Sequence, residues 1–323
     1  MIYLEDKIFL AGHKGMVGSS ILKLLKDQGF KNILILPRKE LDLLNRANVE
    51  AFLKSEKPRI VITAAAKVGG IYANDNFPAE FIHENLTIQN NIIHGAYLAN
   101  VEKLIFLGSS CIYPKLSSQP MSEDILLSGQ LEPTNEPYAI AKIAGIKMCE
   151  SYNRQYGCDF RSLMPTNLYG PNDNFDTKNA HVIPAMLYKF HNAKINKLKS
   201  VEIWGTGKPK REFLHVDDLA SAVLYILGLE KESYQMNTKP MTSHINVGSG
   251  NEIMISELAE IIMDVVGFKG EILFNTEMPD GTPRKLLDTS LINKMGWRSS
   301  IELEDGLHST YDWLCSNLES IRS

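Results

Sequence analysis

What this sequence has little of narrows its reading first. Its 323 residues include only four cysteines, Cys111, Cys149, Cys158 and Cys315, with no CxxC pair and no cysteine–histidine spacing of the zinc type. A disulfide scaffold is excluded, no metal site is expected, and a reducing cytoplasm is the expected compartment. No apolar stretch is long enough to span a bilayer, and the chain enters a strand pattern after six residues without the basic segment and apolar core of a leader peptide. The net charge of −4 comes from 34 basic and 38 acidic residues with no long run of either sign. That distribution argues against a nucleic-acid or membrane surface and for a small-molecule partner. No internal repeat or low-complexity stretch is present. An apolar fraction of 44% is ordinary for a globular chain, and the length suits two domains or one large α/β domain.

What the chain does have is an alternation of short apolar runs with helical periodicity. Residues 7–11 form a run that ends in Gly12-His13-Lys14-Gly15-Met16-Val17-Gly18, and helical spacing follows through Leu25. In this strand–turn–helix setting the GxxGxxG spacing suits close approach of backbone N–H groups to a pyrophosphate at a helix start. The same glycines also suit a plain tight βα turn. The next strand, 32–36, ends in Pro37-Arg38-Lys39, where an acidic residue would favour NAD and an arginine suits a 2′-phosphate. Arg38 with Lys14 therefore points to NADP(H), the bland alternative being two solvated cations. Strands are expected at 59–63, 103–107 and 159–163, with helical periodicity from Asn85 to Ala99 and after Pro137. Those two helices supply either core or a dimer face.

Such alternation implies a doubly wound parallel sheet of Rossmann type, with ligands at the C-terminal ends of its strands. The glycine turn, Leu107-Gly108-Ser109-Ser110-Cys111 and Pro165-Thr166-Asn167-Leu168 all fall at such ends. Tyr138-Ala139-Ile140-Ala141-Lys142 places a phenol and an ammonium one helical turn apart, so the charge is expected to lower the phenol pKa from about 10. Alone, that pair also fits a solvated helix face. After Gly170 the pattern loosens over 172–180, and a smaller unit is expected to begin there. It includes a helix to about Asn192, a strand over 201–204 and a polar connection over 230–243. Strand 244–247, helix 255–266 and terminal helix 301–318 follow. His215 with Asp217 and Asp218 reads as a strand end that caps the next helix at Asp217. The expected division is a Rossmann domain of residues 1–171 and 212–243, with a smaller, discontinuous α/β substrate domain of residues 172–211 and 244–323.

Taken together, Gly12-x-x-Gly15-x-x-Gly18, Ser109 and Tyr138-x-x-x-Lys142 resemble the extended short-chain dehydrogenase/reductase family. The stretches around Lys67, Cys111, Tyr138, Arg211 and Asp280 to Lys285 are similar to the branch of it that turns GDP-4-keto-6-deoxy-D-mannose into GDP-L-fucose. The resemblance implies 3,5-epimerisation followed by NADPH-dependent 4-reduction in a cytoplasmic homodimer. It implies Ser109 and Tyr138 as donors to the ketone oxygen, Lys142 behind the phenol, Cys111 as epimerase base and His181 as acid. Cofactor contacts are implied for Gly12 to Gly18, Arg38, Leu107, Gly108, Ser109, Tyr138, Lys142, Pro165 to Leu168 and His181. GDP-sugar contacts are implied for Lys189, Trp204, Arg211 and Asp280. The alternatives are another nucleotide-sugar epimerase or dehydratase, which would need the Ser-Tyr-Lys set without Cys111 and His181, and a non-catalytic NADP(H)-sensing protein.

Overall fold

The computed structural model describes residues 2–176, 180–278 and 280–321, so part of the expected 172–180 loop lies outside the described residues. In chain order the first half contains β1 (Ile8–Ala11), α1 (Met16–Asp27), β2 (Ile33–Leu34), α2 (Arg46–Glu56), β3 (Ile60–Thr63), α3 (Ile71–Asn76), α4 (Pro78–Leu98), β4 (Lys103–Leu107) and α5 (Glu136–Tyr156). There follow β5 (Asp159–Pro165), β6 (Asn167–Tyr169), α6 (Val182–Ile195), β7 (Ser200–Trp204), β8 (Lys210–His215), α7 (Val216–Gly228) and α8 (Lys231–Asn237). The last part holds β9 (Ile245–Val247), β10 (Glu252–Met254), α9 (Ile255–Val266), β11 (Glu271–Asn275), β12 (Arg284–Lys285), α10 (Ser290–Lys294) and α11 (Leu303–Ser316).

Six strands form one parallel sheet in the order β2-β1-β3-β4-β5-β9. Strands β1, β3, β4 and β5 are buried along their whole length, which requires helices on both faces. One face packs on α1 and α7 through Ile21, Leu25, Leu219 and Val223; the other packs on α2, α4 and α5 through Leu53, Ile92 and Ile146. The chain leaves β1 toward β2 and returns past it to β3, so the order reverses between β1 and β3 and a crevice opens above their C-terminal ends. A third core, built from α6, α9 and α11 around Phe190, Ile262 and Leu307, forms the smaller unit. Strand β8 joins the two regions: it pairs with β6, β10 and β12 in a separate sheet and runs into α7, which packs on α1.

Several boundaries differ from the sequence expectation for local reasons. β2 stops at Leu34 because only two residues find register with β1, and Pro37 beyond has no N–H to offer a ladder. α4 begins at Pro78, an accepted first-turn position, well before Asn85. The polar 230–243 stretch holds helix α8, anchored by the buried Tyr234, whose hydroxyl donates to the Ser243 carbonyl. β9 belongs to the large sheet, so the segment after residue 243 also supplies one of its strands. The cap of α7 is the His215 ring, accepting from Asp217 N at 3.2 Å, whereas the Asp217 carboxylate receives the Ser20 hydroxyl at 2.6 Å.

The turn after β1 shows why glycine is required there. Gly12 has φ +88°, and a Cβ on it would lie 2.6 Å from Ala65 N; a Cβ on Gly18 would overlap the Gly12 carbonyl oxygen. Gly15, at the N-cap of α1, has φ −78° and nothing nearer a Cβ than 3.6 Å. Gly18→Ala is therefore expected to destabilise the fold by about 1–3 kcal/mol in urea titration, the usual cost of overpacking. Gly15→Ala should cost less than about 1 kcal/mol, the range of a cap substitution. Equal stability of the two variants would contradict the packing described.

Candidate active site

Two elements meet at the C-terminal end of β4. Gly145 lets α5 approach the strand, since a Cβ there would overlap the Phe106 ring. At that separation the buried Lys142 reaches across and its Nζ donates to the Leu107 carbonyl at 2.8 Å. Tyr138 lies one turn earlier on α5, with the Lys142 ammonium 5.6 Å from its ring centroid. Phe81 of α4 meets the phenol ring edge to face at 6.2 Å and 80°, which fixes the ring plane.

After Leu107 the backbone of Ser109 is extended, and its Oγ accepts from Cys111 N at 3.4 Å. That bond starts a single 3₁₀ turn, Ser110–Ile112, which carries the buried Cys111 close enough for its charge to act on both Tyr138 and Lys142. His181 stands at the N-cap of α6 but makes no capping bond with its ring. The ring keeps exposed surface while protein surrounds it closely enough to lower its pKa, as expected of a residue in a concave wall. Thus Ser109, Cys111, Tyr138 and Lys142 come together directly.

The charges differ from the sequence expectation in one respect. Burial raises the Tyr138 phenol above its ordinary value and Cys111 adds to the rise, so the expected lowering by Lys142 is overturned. The ammonium is committed to Leu107 O, and removal of water penalises a phenolate more than the charge helps it. The phenol is held in the form that can donate a proton. Burial also pushes Lys142 down to about 8, against a smaller opposing effect of Cys111.

Lys285 is the residue that sequence reasoning missed. It lies on β12 opposite Arg211, in parallel register with β8. Burial pushes the Cys111 thiol up, and the Lys285 charge, the Ser109 hydrogen bond and Lys142 pull it back. The same lysine adds to the effect of burial in lowering His181. Its own pKa is lowered by burial, with Cys111 the first opposing influence. The resting pair is therefore a thiol and a neutral imidazole. Lys285 favours loss of the thiol proton and opposes its arrival on His181. The only sequence signal was its place in the Asp280–Lys285 stretch; nothing in spacing links it to Cys111.

The four candidate GDP-sugar residues lie in the smaller unit and on β8. Lys189 of α6 donates to the Glu202 carbonyl at 3.3 Å and lies 5.2 Å above the ring of Trp204, which is 59% exposed. Asp280 accepts from Thr206 N at 2.8 Å and from Thr206 Oγ1 at 2.7 Å, bonds that lower its pKa. Arg211 follows on β8, its pKa lowered by burial with Asp280 opposing. Gly205, between Trp204 and Thr206, packs on the Asp280 carboxylate, so all four line one rim. At the other end of the crevice Arg38 is exposed, its Nε 3.5 Å from Asp42. Thr166 is buried beside β8, and the Asn167 amide donates to the Glu212 carbonyl at 2.8 Å. A concavity of about 470 Å³ lined by Tyr97, Lys103, Tyr156 and Cys158 lies at the opposite ends of β4 and β5 and contains none of these residues. Among the described residues no group of three or more His, Cys, Asp or Glu is arranged to hold a metal ion.

The chain can be compared with known proteins on this basis. The model of the NAD dependent epimerase/dehydratase family matches residues 8–248. The chain is 55% identical over 318 residues to GDP-L-fucose synthase of Escherichia coli (strain K12), covering 98% of this chain and 99% of that protein. It is 54% identical over 316 residues to GDP-L-fucose synthase 1 of Arabidopsis thaliana, covering 97% and 94%. Among solved structures, a GDP-D-glycero-L-gluco-heptose synthase from Campylobacter jejuni, determined in the presence of NADPH, has a TM-score of 0.91 at 40% identity. That similarity covers 98% of this chain and 100% of the other.

The influence of Lys285 on Cys111 is open to direct measurement. In Lys285→Met the midpoint of the pH dependence of Cys111 alkylation by iodoacetamide should rise by about 0.5–1 unit, because a positive charge that favours the thiolate has been removed. An unmoved or lowered midpoint would contradict the assignment.

Proposed function

Because the chain belongs to the NAD dependent epimerase/dehydratase family, we propose that it converts GDP-4-keto-6-deoxy-D-mannose to GDP-L-fucose by 3,5-epimerisation and NADPH-dependent 4-reduction. The observation that carries the reading is that Cys111, whose N–H donates to Ser109 Oγ and whose charge acts on Tyr138 and Lys142, joins the Ser109–Tyr138–Lys142 set, and that one lysine, Lys285, acts on both Cys111 and His181. A reductase or 4-epimerase needs only that set. The identities to two proteins named GDP-L-fucose synthase, over nearly the whole of both chains, support the choice of substrate.

The residues at the crevice fit a dinucleotide. Gly15 has room on its open side, and Gly12 and Gly18 keep the turn close to the start of α1, whose first N–H groups suit a pyrophosphate. His13, Lys14, Met16 and Val17 complete that turn. Arg38, exposed and paired among the described residues at 3.5 Å with Asp42, is available for a 2′-phosphate. Leu107, Gly108, Ser109, Tyr138, Lys142, Pro165 to Leu168 and His181 border the nicotinamide end in this reading. NADPH, when bound, supplies the hydride for C4. The smaller unit around α6, α9 and α11, with Lys189, Trp204, Arg211 and Asp280, takes the GDP-sugar.

The rest of the chemistry belongs to the chain. A 4-ketone acidifies the hydrogens on C3 and C5, and hydrogen bonds from Ser109 and Tyr138 to its oxygen stabilise either enolate. Transfer of the Cys111 thiol proton to His181 by way of solvent prepares a thiolate that takes the proton from one face and an imidazolium that returns one to the opposite face. The proton gained by Cys111 passes back to His181 in the same way before the second carbon is inverted. In the reduction Tyr138 gives its proton to O4. Lys142, with a pKa brought to about 8, is acidic enough to restore that proton near neutral pH. One oxygen-binding site thus serves both half-reactions.

The proposal includes a cytoplasmic homodimer. All four cysteines are free thiols, as suits a reducing compartment, and no described helix is long and apolar enough to cross a membrane. Tyr97, Tyr152 and Tyr156 form an aromatic cluster on α4 and α5, where Tyr156 is 48% exposed, which suits a face between copies.

Incubation with GDP-4-keto-6-deoxy-D-mannose in deuterated water, followed by NMR, tests the reading. The intact chain should place deuterium at C3 and C5 without NADPH and form GDP-L-fucose only with it. Cys111→Ala should slow exchange by about 100-fold or more while changing NADPH affinity less than about twofold. Reduction without exchange in the intact chain would leave a simple ketoreductase, and equal loss of exchange and NADPH affinity in the variant would make Cys111 structural.

A further inference from the structure

Asn246, in the middle of β9, has no solvent-exposed surface and takes no part in the chemistry above. Every polar group of its side chain is nevertheless engaged. Its Oδ1 accepts the Tyr113 hydroxyl at 2.5 Å, and its Nδ2 donates to the Met121 carbonyl at 2.9 Å and the Asp288 carbonyl at 3.1 Å. Its backbone N–H donates to Glu123 Oε1 at 2.9 Å. Tyr113 follows Cys111 by two residues, Met121 and Glu123 lie further along the same loop, and Asp288 follows Lys285 by three. One buried amide therefore ties the segment that carries Cys111 to the segment that carries Lys285.

The two segments are also joined directly. Met121 N donates to Leu286 O, and Asp288 N to Met121 O, each at 2.8 Å, and Leu286 N donates to Gln119 Oε1 at 2.8 Å. Leu287 N donates to the buried Glu212 carboxylate at 3.0 Å, and Glu212 neighbours Arg211. These bonds join residues 119–121 and Glu212 to the stretch just after β12, whereas the bond to Tyr113, nearer Cys111, is made by Asn246 of β9.

We propose that Asn246 is a positioning residue for the epimerisation step: through Tyr113 and Asp288 it holds the Cys111 turn and the Lys285 strand at a fixed separation. The inference rests on the function proposed above. An amide suits the task because it offers two donors and an acceptor in one plane, matching two carbonyls and a hydroxyl. The Met121 carbonyl also accepts from Asp288 N and the Tyr113 hydroxyl also lies 3.2 Å from His244 Nε2, so Asn246 is the group that joins these partners to one another in a buried setting. The separation matters because the influence of Lys285 on the thiol falls with distance and because proton abstraction tolerates little misplacement.

Tyr113→Phe removes the bond to Asn246, together with the 3.2 Å contact of the same hydroxyl with His244 Nε2, and keeps the ring; Asn246→Ala removes all three side-chain bonds of the amide and leaves the His244 contact. In each variant that folds, C3 and C5 deuterium exchange should fall about tenfold or more, while Kd for NADPH and for GDP changes less than about twofold. The pH midpoint of Cys111 alkylation should rise, a readout that needs no substrate. Tyr113→Phe carries the test alone if Asn246→Ala does not fold. The proposal is overturned if exchange and the midpoint stay at their original values, or if exchange falls only in proportion to both affinities. Absence of exchange in the unaltered chain would instead sink the functional reading, and the alkylation midpoint would still report on Asn246.

Discussion

The hydrogen bond from Lys142 Nζ to the Leu107 carbonyl, 2.8 Å long and buried, is the contact on which the site depends. It joins the helix that carries Tyr138 to the strand end from which Ser109 and Cys111 emerge. Formation of the bond requires α5 to lie close on β4, hence Gly145 over Phe106 and small residues such as Ala141 on the buried face. It also commits the ammonium to a backbone partner, so the phenol is governed by burial. The result is a protonated tyrosine backed by a lysine whose own proton is easily released. That suits a site that first holds a ketone oxygen as an enolate and then protonates it.

A second constraint comes from the way β8 connects the two regions. It passes Arg211 toward the rim, buries Glu212 and ends at His215. Its parallel pairing with β12 places Lys285 beside Arg211. In the function proposed above, this cationic strand pair would serve a diphosphate through Arg211 and the Cys111 thiol through Lys285. The discontinuous chain path follows from the need for both regions to contribute to one cleft: β9 returns to the large sheet, and its buried Asn246 holds the loops from either side.

Much of this was legible in the residues, although unevenly. Gly12, Gly15 and Gly18 announced their turn because backbone demands act over a few residues, and Tyr138 with Lys142 announced a shared face through helical spacing. The parallel sheet followed from strand–helix alternation, and the family match over residues 8–248 agrees with it. Cys111 and His181 were joined only by resemblance, since no local rule links a strand end to a distant helix cap. Lys285 and Asn246 were not legible, because their importance lies in register and in hydrogen bonds between segments far apart in the chain. The rise of the Tyr138 pKa was missed because burial is a property of the assembled cleft, whereas the neighbouring charge was visible in the spacing. Helix α8 was hidden by its polar composition; its anchor, Tyr234, acquires its role only when it packs into the large core.

The central claim is that a single oxygen-binding site serves proton exchange and reduction alike. The most direct measurement is to follow both processes in Tyr138→Phe with GDP-4-keto-6-deoxy-D-mannose in deuterated water, with NADPH affinity checked in parallel. The account predicts that exchange at C3 and C5 and the 4-reduction both fall by about 10- to 100-fold or more, because each draws on the same phenol. Reduction abolished while exchange continues at the original rate would contradict it, and would mean that the enolate is stabilised elsewhere.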